Sequence, residues 1–260
     1  MEKFESNIPK VIHYCWFGEN EMPTLATKCV ESWKKYFPDF EIKLWNESNI
    51  DIDSCDYVKK AYERKKWAFV SDYARFWILY NYGGVYLDTD VEVIRNFSDL
   101  LQEGSFMACE EDIKFSEYIY GITSPVAPGL CIAAEPRLKV FEMILNRYND
   151  MSFSSDSNET VVHIVTKLLY ENGFKGKGNI EHIMGLTIYP PEYFGTKNKY
   201  SGKVVLTGNS VAIHHYMASW QDKSVKLRIM IQKIVGPKMT NLIIAAKRRL
   251  KRNKGSKNGR

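Results

Sequence analysis

The run from Trp67 to Asp90, WAFVSDYARFWILYNYGGVYLDTD, constrains the fold more than any other part of the chain. From Trp67 to Tyr82 apolar side chains occupy almost the whole circumference of a helix, so a helix there must be enclosed by other elements. Gly83 supplies its C-terminal cap, and Val85-Tyr86-Leu87 follows at once as a strand. A buried helix that turns directly into an apolar strand is the signature of an α/β layer.

The remaining pattern extends that reading. Val11 to Trp16 is a short β-rich run after Pro9, and Pro23 suits a first helical turn. Leu25, Cys29, Trp33 and Phe37 then recur every four residues and form a stripe that can lie on a sheet, ended by Pro38. Glu41 to Trp45 alternates polar and apolar like a second strand, Asn46 to Asp56 is a polar loop, and a helix is expected over Tyr57 to Lys66. Further strands are expected at Val91 to Ile94, Phe106 to Cys109, Tyr118 to Ile122, Leu130 to Ala134, Thr187 to Tyr189 and Val211 to His215. Pro136 to Tyr148 and Glu159 to Tyr170 read as amphipathic helices. This alternation predicts one α/β domain around a mostly parallel sheet, over residues 1–222, with no internal repeat or Pro/Gly-rich linker to divide it.

Composition narrows the class. With 45% hydrophobic and 26% charged residues, disordered and collagen-like chains are excluded. The start, MEKFESNIPK, has no apolar core of a signal peptide, and no stretch reaches the roughly 18 apolar residues of a membrane span. Five cysteines without a Cys-x-x-Cys pair argue against a disulfide framework or zinc knuckle, and buried thiols in a reducing cytoplasm are expected.

The net charge of +5 is unevenly spread, because residues 223–260 carry 13 basic and no acidic side chains. Leu227, Met230, Ile231 and Ile234 form one helical stripe there, and Met239, Leu242, Ile243, Ala246 and Leu250 another, followed by dense Lys and Arg. A basic amphipathic helical tail of this kind reads as a peripheral anchor to an anionic membrane surface, on the inner face of the plasma membrane. The competing reading is a helical hairpin packed on the domain. Nucleic acid is not the expected partner.

Three places carry candidate chemistry. Asp88-Thr89-Asp90 ends the short apolar strand, where side chains at i and i+2 share a face, so both carboxylates can hold one hard divalent cation and through it a diphosphate. Spacing alone is weak evidence, since Asp51-Ile52-Asp53 repeats it in a polar loop where caps and turns use aspartate. Asp72 and Arg75 share a face of the buried helix, where they form an ion pair or hold the hydroxyls of a polar ligand. His214 and His215 point to opposite faces of a late strand, so at most one joins a given site. The P-loop, dinucleotide, zincin and α/β-hydrolase motifs are all absent.

Four segments together resemble glycosyltransferase family 32, the group with a DXD sugar-binding region. They are IPKVIHYCWFG (Ile8 to Gly18), FVSDYARFWILYNYGGVYLDTDVE (Phe69 to Glu92), the helix Arg137 to Tyr148, and AIHHYMASW (Ala212 to Trp220). In order and spacing they look like capsular polysaccharide glycosyltransferases, fungal mannosyltransferases and animal α-1,4-galactosyltransferases, and more distantly like clostridial glucosylating toxins. The resemblance implies a GT-A fold, a Rossmann-like nucleotide-sugar-binding domain using Mn²⁺ or Mg²⁺ and a nucleotide-sugar donor, with a UDP-hexose favoured and retention at the anomeric carbon. It also implies roles: Trp16 stacks on the nucleobase, and Asp72 and Arg75 hold ribose or sugar hydroxyls. Tyr86 and Asp88 line the donor pocket, Ser219 and Trp220 contact the diphosphate, and Asp88, Asp90 and His215 hold the metal. Asp88, Asp90 and Arg75 are the expected catalytic set. Many relatives carry Thr-Gly-Pro where this chain has NETVV (Asn158 to Val162), and recognition of the saccharide acceptor is expected there and at Met184 to Lys199.

The function expected on these grounds is metal-dependent hexosyl transfer in capsular or other surface polysaccharide synthesis, to a saccharide acceptor, lipid-linked acceptors included. Two alternatives stand beside it: a toxin-like protein glycosyltransferase, and a nucleotide-sugar or carbohydrate-binding module without turnover.

Overall fold

A computed structural model describes residues 7–154 and 159–217. In chain order the elements are β1 (Val11–Cys15), α1 (Thr24–Tyr36), β2 (Glu41–Trp45), α2 (Asp56–Glu63), α3 (Trp67–Tyr82), β3 (Gly84–Tyr86), β4 (Val91–Val93), α4 (Ser98–Gln102) and β5 (Phe106–Ala108). They continue with β6 (Ile132–Ala134), α5 (Lys139–Asn149), α6 (Val161–Glu171), β7 (Glu181–Ile183), β8 (Leu186–Tyr189), α7 (Pro191–Phe194) and β9 (Ala212–His214). The expected division into 1–222 and a 223–260 tail falls partly outside the described residues, and the whole tail does. No helix among the described residues is long and apolar enough to cross a membrane.

Seven strands form one sheet in the order β2-β1-β3-β6-β5-β8-β7, while β4 and β9 form a separate antiparallel pair. Parallel pairing joins β1 to β2, β1 to β3 and β5 to β8. Strands β1, β2, β3, β5 and β8 all run the same way, so the sheet is mostly parallel, as the alternation of strands and helices suggested, with β6 reversed between β3 and β5 and β7 turned back on β8. The reason is local: β7 and β8 are separated by Met184 and Gly185, a hairpin turn in which both residues take positive φ. Short turns allow antiparallel neighbours only.

Strand periodicity delivers side chains to two cores. Tyr86, Met107, Ile132, Ala134 and Ile188 join the core built on α2, α3, α5 and α6. Their neighbours Val85, Phe106, Ala108, Ala133 and Tyr189 join the opposite core with Trp33 of α1 and Phe194 of α7. Alternate residues thus face alternate layers, which makes this a three-layer α/β/α domain. Helix α3 fulfils its apolar circumference, with eight of its residues from Val70 to Leu79 buried. All five cysteines are buried thiols.

The Gly-Gly step after α3 is required twice over. Gly83 caps the helix at φ 64°, its N–H donating to the Leu79 carbonyl. Gly84 has φ +98°, and a Cβ there would lie 2.8 Å from the Val11 carbonyl oxygen and 2.9 Å from His13 Nε2. Only glycine lets α3 reverse into β3 directly against β1. The segment Tyr118 to Ile122, expected as a strand, instead continues a 3₁₀ turn (Ile113–Glu117) through i to i+3 bonds, and Tyr120 is 94% exposed.

His13 sits beneath that glycine step, 2% exposed. Trp45 Nε1–H donates to its Nδ1 at 3.0 Å, which leaves Nε2–H to donate to the Gly83 carbonyl at 3.0 Å. Burial is the main cause that lowers its pKa from 6.5 to about 4, so the folded chain holds the ring neutral where the unfolded chain already protonates it. The stability gained by a neutral ring is therefore full above pH 6.5 and is lost as pH falls through about 4. Comparing urea unfolding of the wild type with His13→Gln should show the wild-type advantage shrinking by on the order of 3 kcal/mol across that window. A pH-independent difference would remove this role.

Candidate active site at the C-terminal ends of β1 and β3

Parallel strands β1 and β3 end side by side, and the residues just beyond them meet α3 underneath. Trp16 follows β1, half-buried, with its backbone N–H on the Trp45 carbonyl and its Nε1–H on the Asn20 carbonyl at 2.6 Å. Beyond β3, Leu87 N–H still bonds the His13 carbonyl, and Asp88 N–H donates to the Gly129 carbonyl at 3.2 Å. Ligand sites of open α/β sheets form at such carboxyl ends.

The two aspartates are brought together differently from what an extended strand would do. Strand β3 ends at Tyr86, and Asp88 to Asp90 form a turn closed by the Val91 N–H on the Asp88 carbonyl at 3.0 Å. Strand β4 then fixes the turn from its far side, because buried Trp33 Nε1–H donates to the Val91 carbonyl at 2.8 Å.

Arg75 of α3 ties the site together. Its Nη2 lies 2.9 Å from Asp72 Oδ1 and 3.2 Å from Asp88 Oδ1, its Nε–H donates to the Ser71 carbonyl, and its guanidinium covers the Tyr86 ring at 5.0 Å. Tyr86 O–H donates to the same Asp88 oxygen at 3.1 Å. Asp72, Arg75, Tyr86 and Asp88 therefore form one buried network, and the ion-pair reading of Asp72 and Arg75 holds together with a place beside Asp88. Burial is the largest influence on both carboxyls and raises Asp72 and Asp88 above the usual carboxylate range, against the pull of the one guanidinium they share.

The last strand supplies the histidine. Antiparallel pairing sets Val91 opposite His214, and His215 N–H bonds the Asp90 carbonyl at 2.8 Å. In this register His214 Nε2 lies 3.1 Å from Asp90 Oδ1, whereas His215 Nε2 turns to Glu92 Oε2 at 2.8 Å. The sequence comparison had paired His215 with the aspartates; the structure puts His214 there, because consecutive strand residues face opposite ways and the bend at Tyr216, with φ 51°, follows immediately. Burial works against a charged His214, yet neighbouring Asp90 outweighs it and the pKa lies above the ordinary imidazole value.

Ligand atoms of Asp88, Asp90 and His214 all lie within 4.8 Å of one another, a spread that one cation can bridge. His214 Nδ1 is buried and has no hydrogen-bond partner. Three carboxyls (Asp72, Asp88, Asp90) meet a single guanidinium, so acidic groups outnumber the fixed positive charge and a divalent ion would redress the imbalance. The residues present thus fit a dication of oxygen-and-imidazole preference. Ser219 and Trp220 lie outside the described residues. Asp51 and Asp53, the matching spacing, serve a 3₁₀ turn (Ile52–Ser54): Asp51 accepts from the Asp53 N–H, and Asp53 pairs with Lys59.

Gly129 escaped sequence reasoning because it has no side chain to signal chemistry. It precedes β6, and its backbone is not in the left-handed region. A Cβ on it would lie 2.2 Å from Asp88 Oδ2 and 3.4 Å from Arg75 Nη1. The glycine is there for room: the loop before β6 presses its backbone against the Asp88 carboxylate.

Residues 23–107 match the family described as "Glycosyltransferase sugar-binding region containing DXD motif". An uncharacterized glycosyltransferase of Acanthamoeba polyphaga mimivirus is 29% identical over 164 residues, which are 59% of this chain and 62% of that protein's length. Inositol phosphoceramide mannosyltransferase 1 of Schizosaccharomyces pombe is 25% identical over 251 residues, 87% of this chain and 75% of that one. Among solved structures, galactosyltransferase LgtC, determined with donor and acceptor sugar analogues, aligns at a TM-score of 0.43 and 13% identity, covering 86% of this chain and 95% of that one. The matched residues 23–107 are the segment that holds Asp72, Arg75, Tyr86, Asp88 and Asp90, so the similarity to the DXD-containing sugar-binding region falls on the site itself.

Proposed function

We propose that this chain moves a hexose from a nucleotide-sugar to a saccharide acceptor, with a divalent cation, Mn²⁺ or Mg²⁺, held by Asp88, Asp90 and His214. The observation that carries the proposal is the convergence of those three ligand atoms within 4.8 Å, beside a network in which Arg75 pairs with both Asp72 and Asp88. A bound dication supplies charge neutralisation for the departing nucleoside diphosphate. Arg75 fixes the orientation of Asp88 through their contact and keeps Asp72 placed to accept donor hydroxyls. Tyr86 spends its O–H on Asp88 and so helps hold that carboxylate in one rotamer. Trp16, beyond the neighbouring strand, offers its half-buried ring to the nucleobase. The site's position at the carboxyl ends of β1 and β3 supports the GT-A arrangement.

A UDP-hexose is the favoured donor through the likeness to galactosyl and glucosyl enzymes, and retention of anomeric configuration goes with it. The fission-yeast relatives are named mannosyltransferases, so GDP-linked sugars belong in the same assay. Synthesis of a capsule or another surface polysaccharide is the proposed setting. The composition of residues 223–260 supports attachment to an anionic membrane surface on the cytoplasmic side. Intact metal-type ligands count against a binding module without turnover.

A panel of UDP- and GDP-hexoses assayed for Mn²⁺-dependent hydrolysis should show one donor cleaved slowly, with Asp90→Asn reducing that activity roughly a hundredfold. Activity undiminished in the mutant would refute the site. His214→Asn should weaken Mn²⁺ binding roughly tenfold or more in calorimetry, and His215→Asn should weaken it less; the reverse order would restore the sequence-based assignment. Gly129→Ala forces the Asp88 carboxylate aside and should cut Mn²⁺ affinity by a similar factor while the melting temperature moves little. In flotation with anionic vesicles, truncation after Asp222 should abolish membrane partition, and an unchanged partition would exclude the anchor.

A further inference from the structure

A buried ionic cluster outside the aspartate site joins Glu110 and Asp112, beyond β5, to Lys199. Lys199 Nζ lies 2.8 Å from Glu110 Oε1 and 2.7 Å from Asp112 Oδ2. Asp112 Oδ1 accepts from the Tyr200 O–H at 3.1 Å and the Lys114 N–H at 3.2 Å, and Glu110 Oε2 accepts from the Tyr216 O–H at 3.1 Å. Each oxygen of the two carboxylates is engaged within the chain, so the cluster is a brace rather than a place for a ligand. Enclosing two carboxylates, 6% and 9% exposed, costs free energy that the shared ammonium and the hydroxyl donors offset.

The brace stands on a firm footing. Cys109 pairs with Val126 in an antiparallel bridge, Glu110 N–H donates to the Pro125 carbonyl at 3.0 Å, and Val126 N–H donates to Thr166 Oγ1 of α6 at 3.0 Å. Glu110 is thereby mounted on a ladder that continues β5 and is tied to a core helix.

At its other end the brace reaches His214. The Tyr216 ring packs on the imidazole with centroids 4.1 Å apart and planes inclined by 46°. Tyr216 has φ 51°, a left-handed conformation that disfavours a bulky side chain and persists only where surrounding contacts enforce it. The backbone here is fixed separately, since His215 N–H donates to the Asp90 carbonyl and Lys197 Nζ to the His215 carbonyl. The imidazole needs more. A metal-ligating imidazole is ordinarily oriented by a hydrogen bond on its other nitrogen. His214 turns Nε2 to Asp90 Oδ1 at 3.1 Å, and its buried Nδ1 bonds nothing among the described residues. The Tyr216 ring takes the orienting place instead, and Glu110 holds that ring.

We propose that Tyr216 and Glu110 are positioning residues for the metal centre: Glu110 anchors the Tyr216 hydroxyl, and the anchored ring keeps the His214 imidazole turned to Asp90. The consequence for the metal rests on the reading above; the orientation of the imidazole rests on packing alone.

Tyr216→Phe keeps the ring and removes its anchor. Tyr200→Phe removes a hydroxyl from the same cluster on the branch that does not reach His214, and is the matched control. In the metal-free full chain, ¹⁵N-histidine spectra should show the His214 ring signal, assigned by its loss in His214→Asn, displaced in Tyr216→Phe and unmoved in Tyr200→Phe. Calorimetry with Mn²⁺ and UDP or GDP should show affinity for the ion weakened roughly tenfold in Tyr216→Phe and unchanged in Tyr200→Phe. Glu110→Ala removes the opposite end of the same bond, so adding Tyr216→Phe to it should weaken the affinity no further. The two phenylalanine variants decide the matter even where Glu110→Ala fails to fold. Equal behaviour of those two, or additive losses in the double variant, overturns the positioning role and leaves the metal reading standing. A wild-type chain that takes up no Mn²⁺ with either nucleotide overturns that reading and, with it, the role assigned to the brace.

Discussion

One buried guanidinium organises the site. Arg75 is 3% exposed, and it reaches from the buried face of α3 to Asp72 on its own helix and to Asp88 in the turn after β3. Withdrawing a guanidinium and two carboxylates from water costs several kcal/mol per ion and is recovered only when the groups satisfy one another. Here they nearly do, and the shortfall is of one sign: two carboxylates share one cation, and Asp90 adds a third beside them. The network is complete as a structure yet short of positive charge as an electrostatic system, which suits it to receive a cation. The same interaction makes the all-round apolar helix intelligible, since α3 must be enclosed for Arg75 to be worth more than a surface ion pair.

Much of this was legible in the chain. The Trp67–Tyr82 helix and Glu41–Trp45 strand appear with the bounds their patterns indicated, because a long apolar circumference and a clean alternation each admit one reading. The spacing of Asp72 and Arg75 put them on one face of α3, and the polar loop around Asp51 marked that residue as structural. What remained hidden depends on distant partners. The aspartates meet in a turn, which i, i+2 spacing accommodates as readily as a strand. The choice between His214 and His215 depends on the register of β9 against β4, which is set by residues more than a hundred positions away. Short elements such as α4, β7 and α7 carry too few residues for a period to show.

Gly129 and Glu110 mark a different limit. Gly129 matters because of what it lacks, and a missing Cβ has no periodicity. Glu110 lies beyond a three-residue strand in a stretch rich in acidic residues, where its burial and its bond with Tyr216 could not be read from neighbours in sequence. Both come into view only when the β5–β6 region is folded against the ends of β3 and β9. Sequence patterns reveal which elements exist, and packing decides which of their residues face one another.

The β4–β9 ribbon carries a consequence for how the protein is made. In the proposed centre His214 would complete the ligand set from a strand of three residues, and its contact with Asp90 closes a loop of 124 positions. Such a closure costs the entropy of a long loop, and the local contacts of Gly195, Thr196 and Tyr193 hold β9 in shape without bringing it to Asp90. On the ribosome, α3, β3 and the aspartate turn emerge well before the imidazole that joins them, so a nascent chain carries the acidic half of the centre while still unable to enclose an ion. Capture of that ion would then act as a clasp on the finished ribbon, joining metal supply to the final step of maturation.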